Sequence, residues 1–280
     1  MSYTTNTPAE LLDETFTWLR RLDQARTGRL GINQLRTVLE LTGWAALLAG
    51  NLAYDLDDQQ AAKKAREIGL THGRDIDHAR IIAWGHELAA WSHLGNKNYE
   101  AVIERSQAGQ ERAGRTDIGA HLTRHEAEAW AGLGDRDQAR RTLERAAAIN
   151  DDIPPPPMPG HHFQKDKDQQ EKVEMSVAMA LGDNSRAIDL ADAIERQFTA
   201  DDGELLRPMR IAKARATKAT AIAREGDLDE ATTIGESVFE IQRQGIPEIM
   251  RQTEELAALL ADFKPAGSFL RERTQRRSAA

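Results

Sequence analysis

A short turn recurs four times along the chain, each time between two helical, alanine-rich runs. Every turn places a glycine directly before an aspartate or asparagine, and the glycines lie roughly 40 to 50 residues apart. Three of the glycines are followed by an alanine five residues later, and Gly95 is followed by an alanine six residues later. This spacing predicts an array of helix-turn-helix units that bury their apolar faces against their neighbours. The turn glycines are Gly95, Gly134, Gly182 and Gly226.

The composition agrees with an all-α fold. Aromatic residues make up only 5% of the chain, and few β-branched stretches alternate as strands do. Helical patterns run from Pro8 to about Phe263 and predict twelve helices, with Gly73 closing the helix that begins at Gln59. We therefore expect a single domain over residues 1–280, with about five helix pairs and capping helices at its ends. Residues 1–30 form an N-terminal helix and linker in this prediction.

Charge and cysteine content restrict the possible partners. The net charge of −8 argues against non-specific binding of nucleic acid, which needs a basic face. The absence of cysteine excludes disulfides and thiolate metal sites. The first ten residues lack the pattern of a signal peptide, and no apolar run approaches the ~20 residues that span a bilayer. We expect a cytoplasmic protein without a membrane segment or a cofactor.

Two segments depart from the helical pattern. The prolines of Ile153–Gly160 favour an extended conformation, which suits either a docking segment or a stiff connector over residues 154–160, and we favour the connector. Residues 264–280 carry five basic side chains against one glutamate. We expect this tail to be disordered, as chain termini often are, although it could also touch DNA or an acidic partner.

The turn pattern resembles that of tetratricopeptide repeats. The likeness is clearest around Gly134, where Ala127 and Trp130 precede the turn and Ala139 follows it. Such repeats stack as a right-handed superhelix, or α-solenoid, whose concave groove holds partners. The resemblance implies the same architecture here, although the units are longer than the usual repeat and lack a regular proline between them.

A second resemblance concerns the start of the chain. The segments at 10–29 and 41–58 are similar to the linker and first repeats of actinobacterial transcriptional regulators, which carry a helix-turn-helix DNA-binding domain before a helical sensor region. This chain starts where that DNA-binding domain would end. The resemblance therefore implies a sensor module that does not itself bind a specific DNA sequence.

The first helix of each pair would line the groove, and helical spacing selects its inward positions. Arg124, Lys172 and Lys213 fall there in successive units, and they would suit a carboxylate such as a peptide C-terminus. The alternative is that these are solvated charges on amphipathic helices. The other groove candidates are His93, His121, Glu128 and Gln169.

Two further features involve aromatic and imidazole side chains. The tryptophans lie among apolar neighbours and are expected in the core, except that one of them could stack on a ligand, for which we choose Trp44, near Tyr54. His121 and His125 have the i, i+4 spacing of metal ligands on one helical face. The sequence identifies no certain third ligand, with His161-His162 as one option, so no metal site is expected.

These observations favour a non-catalytic binding module that senses a peptide, protein or small ligand, in transcriptional control by the resemblance. A homodimer is compatible with this role. A constitutive protein scaffold is the alternative, followed by an all-helical enzyme of secondary metabolism. No phosphate loop, serine nucleophile motif or acid–base pair is evident in the sequence.

Overall fold

The structure is a computed structural model that describes residues 6–154, 161–164, 169–241 and 247–279. In these ranges the chain is all-helical and forms no strand, with a single isolated β-bridge between Thr199 and Leu205. Neighbouring helices pack in pairs, such as α2 with α3, α4 with α5, and α9 with α10. The helices are α1 (Pro8–Arg26), α2 (Ile32–Asp55), α3 (Gln59–Asp75), α4 (Ala79–Gly95), α5 (Tyr99–Ala113), α6 (Asp117–Gly132), α7 (Arg136–Asp152), α8 (Gln169–Ala180), α9 (Asn184–Gln197), α10 (Pro208–Glu225), α11 (Leu228–Glu240), α12 (Pro247–Leu259), a short 3-10 helix (Lys264–Ala266) and α13 (Gly267–Ala279).

The helices group into two compact units, where the sequence predicts one domain. Unit 1 comprises Met1–Ala129 and Glu144–Lys167, and unit 2 comprises Trp130–Leu143 and Asp168–Ala280. Helices α6 and α7 therefore contribute residues to both units. The proline-rich connector predicted at 154–160 lies, apart from Pro154, outside the described residues.

One turn geometry recurs at six helix junctions. A residue with positive φ follows the end of a helix, and the next residue caps the following helix through its side chain. At Gly226 the φ angle is 100°, and the amide of Asp227 donates back to the carbonyl of Ile222 over 3.3 Å. This backbone pattern is that of a Schellman motif. The residues with positive φ at these junctions are Asp57, Asp77, Lys97, Gly134, Gly182 and Gly226.

The sequence places two helix ends too early. Gly95 is the last residue of α4, and Lys97 takes the left-handed conformation with a φ of 55°. Gly73 does not end α3, because that helix continues to Asp75. A Cβ at Gly73 would lie 2.8 Å from Ile81, so this glycine permits close packing of α4 on α3.

The core of unit 1 joins α2, α4 and α6. Trp84 and Leu88 of α4 pack with Ile118 and Leu122 of α6 in one buried apolar cluster. Phe163 completes the cluster. Its carbonyl accepts a hydrogen bond from Arg80, whose guanidinium also pairs with Asp117 at 2.7 Å. These contacts hold α4 against α6 along the stretch that carries the candidate site.

The C-terminal segment is folded, so the expectation of a disordered tail is wrong for residues 264–279. Phe269 is fully buried, and its ring stacks on Phe239 with centroids 5.4 Å apart. Arg273 donates to the carbonyl of Met250 over 3.0 Å. The basic residues that suggested a solvated tail thus include one that anchors α13 to α12.

The expectation of buried tryptophans holds for Trp84 but is wrong for Trp18. The Trp18 side chain is 51% exposed on α1, where the guanidinium of Arg21 lies over its ring at 5.0 Å. Among the described helices, none combines the length and apolar character needed to cross a membrane.

Candidate functional site

The middle of α6 carries an unusual density of buried ionisable side chains. Five of them follow one another closely between the apolar residues that hold α6 in the core. Charged groups are rarely buried unless they are paired, because removing them from water is costly. The five residues are His121, Arg124, His125, Glu126 and Glu128.

The two histidines of α6 meet a carboxylate from α4. Glu87 is only 3% exposed, and its Oε1 lies 3.0 Å from Nε2 of His121 and 3.4 Å from Nε2 of His125. The three ligand-type atoms all lie within 4.8 Å of one another. We call Glu87, His121, His125 and Glu128 the histidine–carboxylate cluster.

Helix geometry explains why these side chains converge. His121 and His125 are one turn apart on α6 and project from the same face, with ring centroids 4.5 Å apart. Glu87 lies between Trp84 and Leu88 on α4, and both of these residues belong to the apolar cluster that contacts α6. The packing of α4 on α6 therefore directs Glu87 at the two imidazoles.

The second nitrogen of His125 also faces a carboxylate. Its Nδ1 lies 3.3 Å from Oε2 of Glu128, one turn further along α6. Burial lowers the pKa of His125, but the hydrogen bonds and negative charges of Glu128 and Glu87 outweigh it, and the net shift is upward. The two carboxylates therefore favour the protonated form of His125 relative to a free imidazole.

Two other residues of this segment connect α6 to its remaining neighbours. Arg124 donates to Oδ1 of Asn150 on α7 over 2.7 Å. Glu126 accepts hydrogen bonds from Gln107 and Gln110 on α5, at 3.0 and 2.8 Å, and pairs with Arg145 on α7. One short stretch of α6 thus makes polar contacts with α4, α5 and α7.

Two further histidines of α4 are close to positive charges from α3 and α5. We call these histidines, with Arg66, Arg74 and Arg105, the basic region. His86 is buried, and its Nδ1 has no hydrogen-bond partner among the described residues. Burial, followed by the positive charges of Arg105 and Arg74, lowers the pKa of His86 to about 4. His93 is half-buried, and burial followed by the charge of Arg66 lowers its pKa as well. Both shifts favour the neutral form of these histidines, whereas the shift at His125 is in the opposite direction.

The predicted groove residues divide between the two units. Arg124 belongs to unit 1 and is only 1% exposed, so the prediction that it lines an open groove is wrong. Lys172 on α8 and Lys213 on α10 are half-buried in unit 2. Gln169 begins α8, but its side chain lies outside the described residues.

Three other predicted residues lie in unit 1. His121 and Glu128 belong to the histidine–carboxylate cluster, whereas His93 lies further along α4 in the basic region. The prediction placed them along one groove as candidates for a bound peptide. The structure instead brings the first two together in the interior of unit 1.

Trp44 and Tyr54, the two aromatic site candidates, each contact other aromatic side chains of the protein. The Trp44 ring packs against Phe163 at 4.8 Å and against His78 at 5.8 Å. The Tyr54 ring packs against Trp91 in a tilted arrangement with centroids 4.4 Å apart, beside a small cavity of about 10 Å³ that holds at most one water molecule. Both aromatic side chains serve in packing between helices.

Sequence reasoning missed Glu87. The sequence suggests His161 and His162 as partners for the α6 histidines. In the structure both rings pack against Phe163, with centroid distances of 6.4 Å for His161 and 4.8 Å for His162. A signal for Glu87 existed, because it is the only acidic residue within the apolar helix α4. Without the packing of α4 on α6, that carboxylate could not be assigned to the histidines.

Comparison with known proteins adds no relative to this description, because no protein-family profile, curated protein or solved structure matches the chain.

Proposed function

We propose that the protein is a non-catalytic binding module with a regulatory role, and that it takes its ligand at the histidine–carboxylate cluster. The observation that carries this proposal is the burial of His121, His125 and Glu87 side by side in the core of unit 1. Burying ionisable groups gives little stability compared with apolar side chains of similar size. A buried cluster of this kind is therefore a candidate binding site.

The contacts of α6 suggest how binding would be transmitted. A ligand that draws the two histidines towards Glu87 changes the position of α6 against α4. Because Glu126 and Arg124 tie the same helix to α5 and α7, the change reaches both of those helices. A ligand can shift the protein between two arrangements only if it binds one of them more tightly.

The regulatory role extends the resemblance to helical sensor regions of transcriptional regulators. In this proposal the helix pairs continue as a superhelix, whose concave groove holds a protein or peptide partner. The proposal includes no DNA reading by the chain, and its net charge of −8 disfavours non-specific contacts with phosphates.

Hydrogen exchange tests the proposal. Wild-type protein is incubated with the small-molecule fraction of a bacterial cell extract, and exchange is followed over residues 79–152. We expect slower exchange in α4 and α6, because a bound ligand suppresses local opening. The matched control is the double variant His121→Gln, His125→Gln, which should show no change. An equal response in both proteins, or none in the wild type, contradicts the proposal.

A further inference from the structure

The histidine–carboxylate cluster combines the donor atoms of a transition-metal site. Imidazole nitrogen and carboxylate oxygen are ligands of zinc and its neighbours, whereas calcium and magnesium prefer oxygen alone. The two nitrogens come from one face of α6 and the oxygen from α4, so the set is held by two helices packed through a shared apolar core. Sites of this kind are built in helical bundles from side chains on facing helices.

The distances from Glu87 to the two histidines, which are hydrogen-bond distances in the metal-free site, are also close to those between ligands of one metal ion. Metal–ligand bonds of about 2.0–2.1 Å in a tetrahedron place neighbouring ligand atoms about 3.3–3.4 Å apart. Oε1 of Glu87 lies 3.0 Å from Nε2 of His121 and 3.4 Å from Nε2 of His125. An ion held by these atoms would require shifts of a few tenths of an ångström along the two edges from Glu87, and the ligand atoms of the two imidazoles lie within 4.8 Å of each other.

Glu128 contacts one of the metal ligands without being a ligand itself. Metal-binding histidines commonly donate their other ring N–H to a carboxylate, which fixes the tautomer and orients the ring. Nδ1 of His125 faces Oε2 of Glu128 at 3.3 Å, which leaves Nε2 on the side of Glu87. This is the orientation that a metal bound through Nε2 requires.

The charges of the cluster also fit a divalent cation. Glu87 and Glu128 bring two carboxylates into the interior, flanking the imidazole of His125. A metal ion at Nε2 of His125 replaces the proton there, so that one proton is released when a protonated His125 becomes a ligand. The two positive charges of the ion then balance the two carboxylates.

We propose that Glu87, His121 and His125 bind one divalent first-row transition-metal ion, with Glu128 as the carboxylate that orients His125. The inference rests on the proposed function, in that it names the ligand class of the same cluster. The three protein ligands leave one position of a tetrahedron for water or a further ligand atom. Zn²⁺ is the test ion, and Co²⁺ serves as its spectroscopic substitute.

Equilibrium dialysis of the tag-free full chain tests the site. Chelator-treated protein is dialysed against Zn²⁺ in the presence of excess Mg²⁺, and bound zinc is measured by elemental analysis. We expect one tightly held Zn²⁺ per chain. The variants Glu87→Gln and His121→Gln should bind zinc more than 100-fold more weakly, and Glu128→Gln about 10- to 100-fold more weakly. The control His161→Gln, His162→Gln removes two histidines outside the cluster and should bind zinc as the wild type does.

Two measurements on the wild type keep the test decisive if a variant misfolds. The Co²⁺ form should show the intense visible absorption of a four-coordinate site, and X-ray absorption of the Zn²⁺ form should show two imidazoles among nitrogen and oxygen neighbours. Zinc binding of less than one ion per chain, or a zinc spectrum without imidazole, overturns the inference. So does full zinc retention in folded His121→Gln protein.

The outcomes also separate this inference from the proposed function. Failure to bind Zn²⁺ or Co²⁺, with protection of α4 and α6 by the cell extract retained, removes the metal and leaves a binding module for another ligand. Failure to bind either metal, together with no protection of α4 and α6 by the cell extract, removes the proposed function as well.

Discussion

Nε2 of His121 on α6 lies 3.0 Å from Oε1 of Glu87 on α4, and both side chains are buried. The same oxygen lies 3.4 Å from Nε2 of His125. One carboxylate oxygen therefore serves two imidazoles that are a helical turn apart. This sharing makes Glu87 the residue that links α4 to both imidazoles of α6, in addition to the Arg80–Asp117 ion pair between the same helices.

Replacing Glu87 by glutamine should destabilise the metal-free protein. The substitution keeps the shape of the side chain but removes the negative charge that faces the imidazoles of His121 and His125. We expect the free energy of unfolding to fall by about 1–3 kcal/mol, because a buried partner of a charge-assisted hydrogen bond is lost. Urea denaturation in the presence of a chelator measures the change.

The control for this substitution is Glu40→Gln. Glu40 pairs with His78 at 3.3 Å, but its side chain is 43% exposed, so the pair is screened by water. We expect a loss below about 1 kcal/mol there. Equal losses for Glu87→Gln and Glu40→Gln would show that the buried cluster contributes no more than a surface ion pair.

Acidification should destabilise unit 1 through His86. The groups that lower its pKa to about 4, after burial itself, are Arg105 on α5 and Arg74 and Arg66 on α3, while Glu104 opposes them. The unfolded chain binds this proton near pH 6.5 and the folded chain only near pH 4. The stabilising contribution is therefore fully present above about pH 6.5 and is lost as the pH falls towards 4, by up to about 3 kcal/mol.

Denaturation profiles of the wild type and of His86→Gln across this pH range measure that contribution. The variant lacks the titrating group, so its stability should fall less steeply between pH 6.5 and 4. Parallel profiles for the two proteins would contradict the assignment to His86.

Gly85 should not tolerate a methyl group. A Cβ at this position in α4 would lie 2.5 Å from two carbons of Leu70 on α3, so that Leu70 or the helix must move. We expect Gly85→Ala to lower the free energy of unfolding by about 1–3 kcal/mol, despite the higher helix propensity of alanine. Gly31→Ala is the matched control, because its Cβ would meet its nearest neighbour at an ordinary 3.7 Å. Thermal unfolding that ranks the two variants in the opposite order would contradict the packing of α3 on α4.

Local features of the fold could be predicted because they depend on neighbouring residues. The turns at Gly134, Gly182 and Gly226 combine a glycine that accepts positive φ with an aspartate that caps the next helix, and the sequence shows both. The same junction at Asp57 or Lys97 uses a residue without that signature. There the backbone hydrogen bonds of the junction hold the residue at positive φ, as when the amide of Asn98 donates to the carbonyl of His93 over 3.0 Å.

The candidate site could be predicted only in part, for a related reason. The spacing of His121 and His125 is visible in the sequence, because both lie on one helix. Glu87 joins them only through the packing of α4 on α6. The burial of Arg124 depends likewise on Asn150 of α7, so helical spacing alone assigns it to a solvent-lined face.

The docking of the last helix gives a test of unit 2. Phe269 of α13 is fully buried in an apolar cluster with Phe239 of α11 and Leu256 of α12. Truncating it to alanine leaves a cavity among residues that already pack closely, and we expect a loss of about 3–5 kcal/mol in the free energy of unfolding. Leu259→Ala is the control, because Leu259 is 38% exposed at the end of α12 and should cost about 1 kcal/mol or less. Hydrogen exchange of the backbone amides of residues 267–279 gives the second readout. These amides should exchange slowly in the wild type, and as fast as those of an unfolded chain in Phe269→Ala. Fast exchange in the wild type would mean that the basic residues of α13 belong to a solvated tail after all.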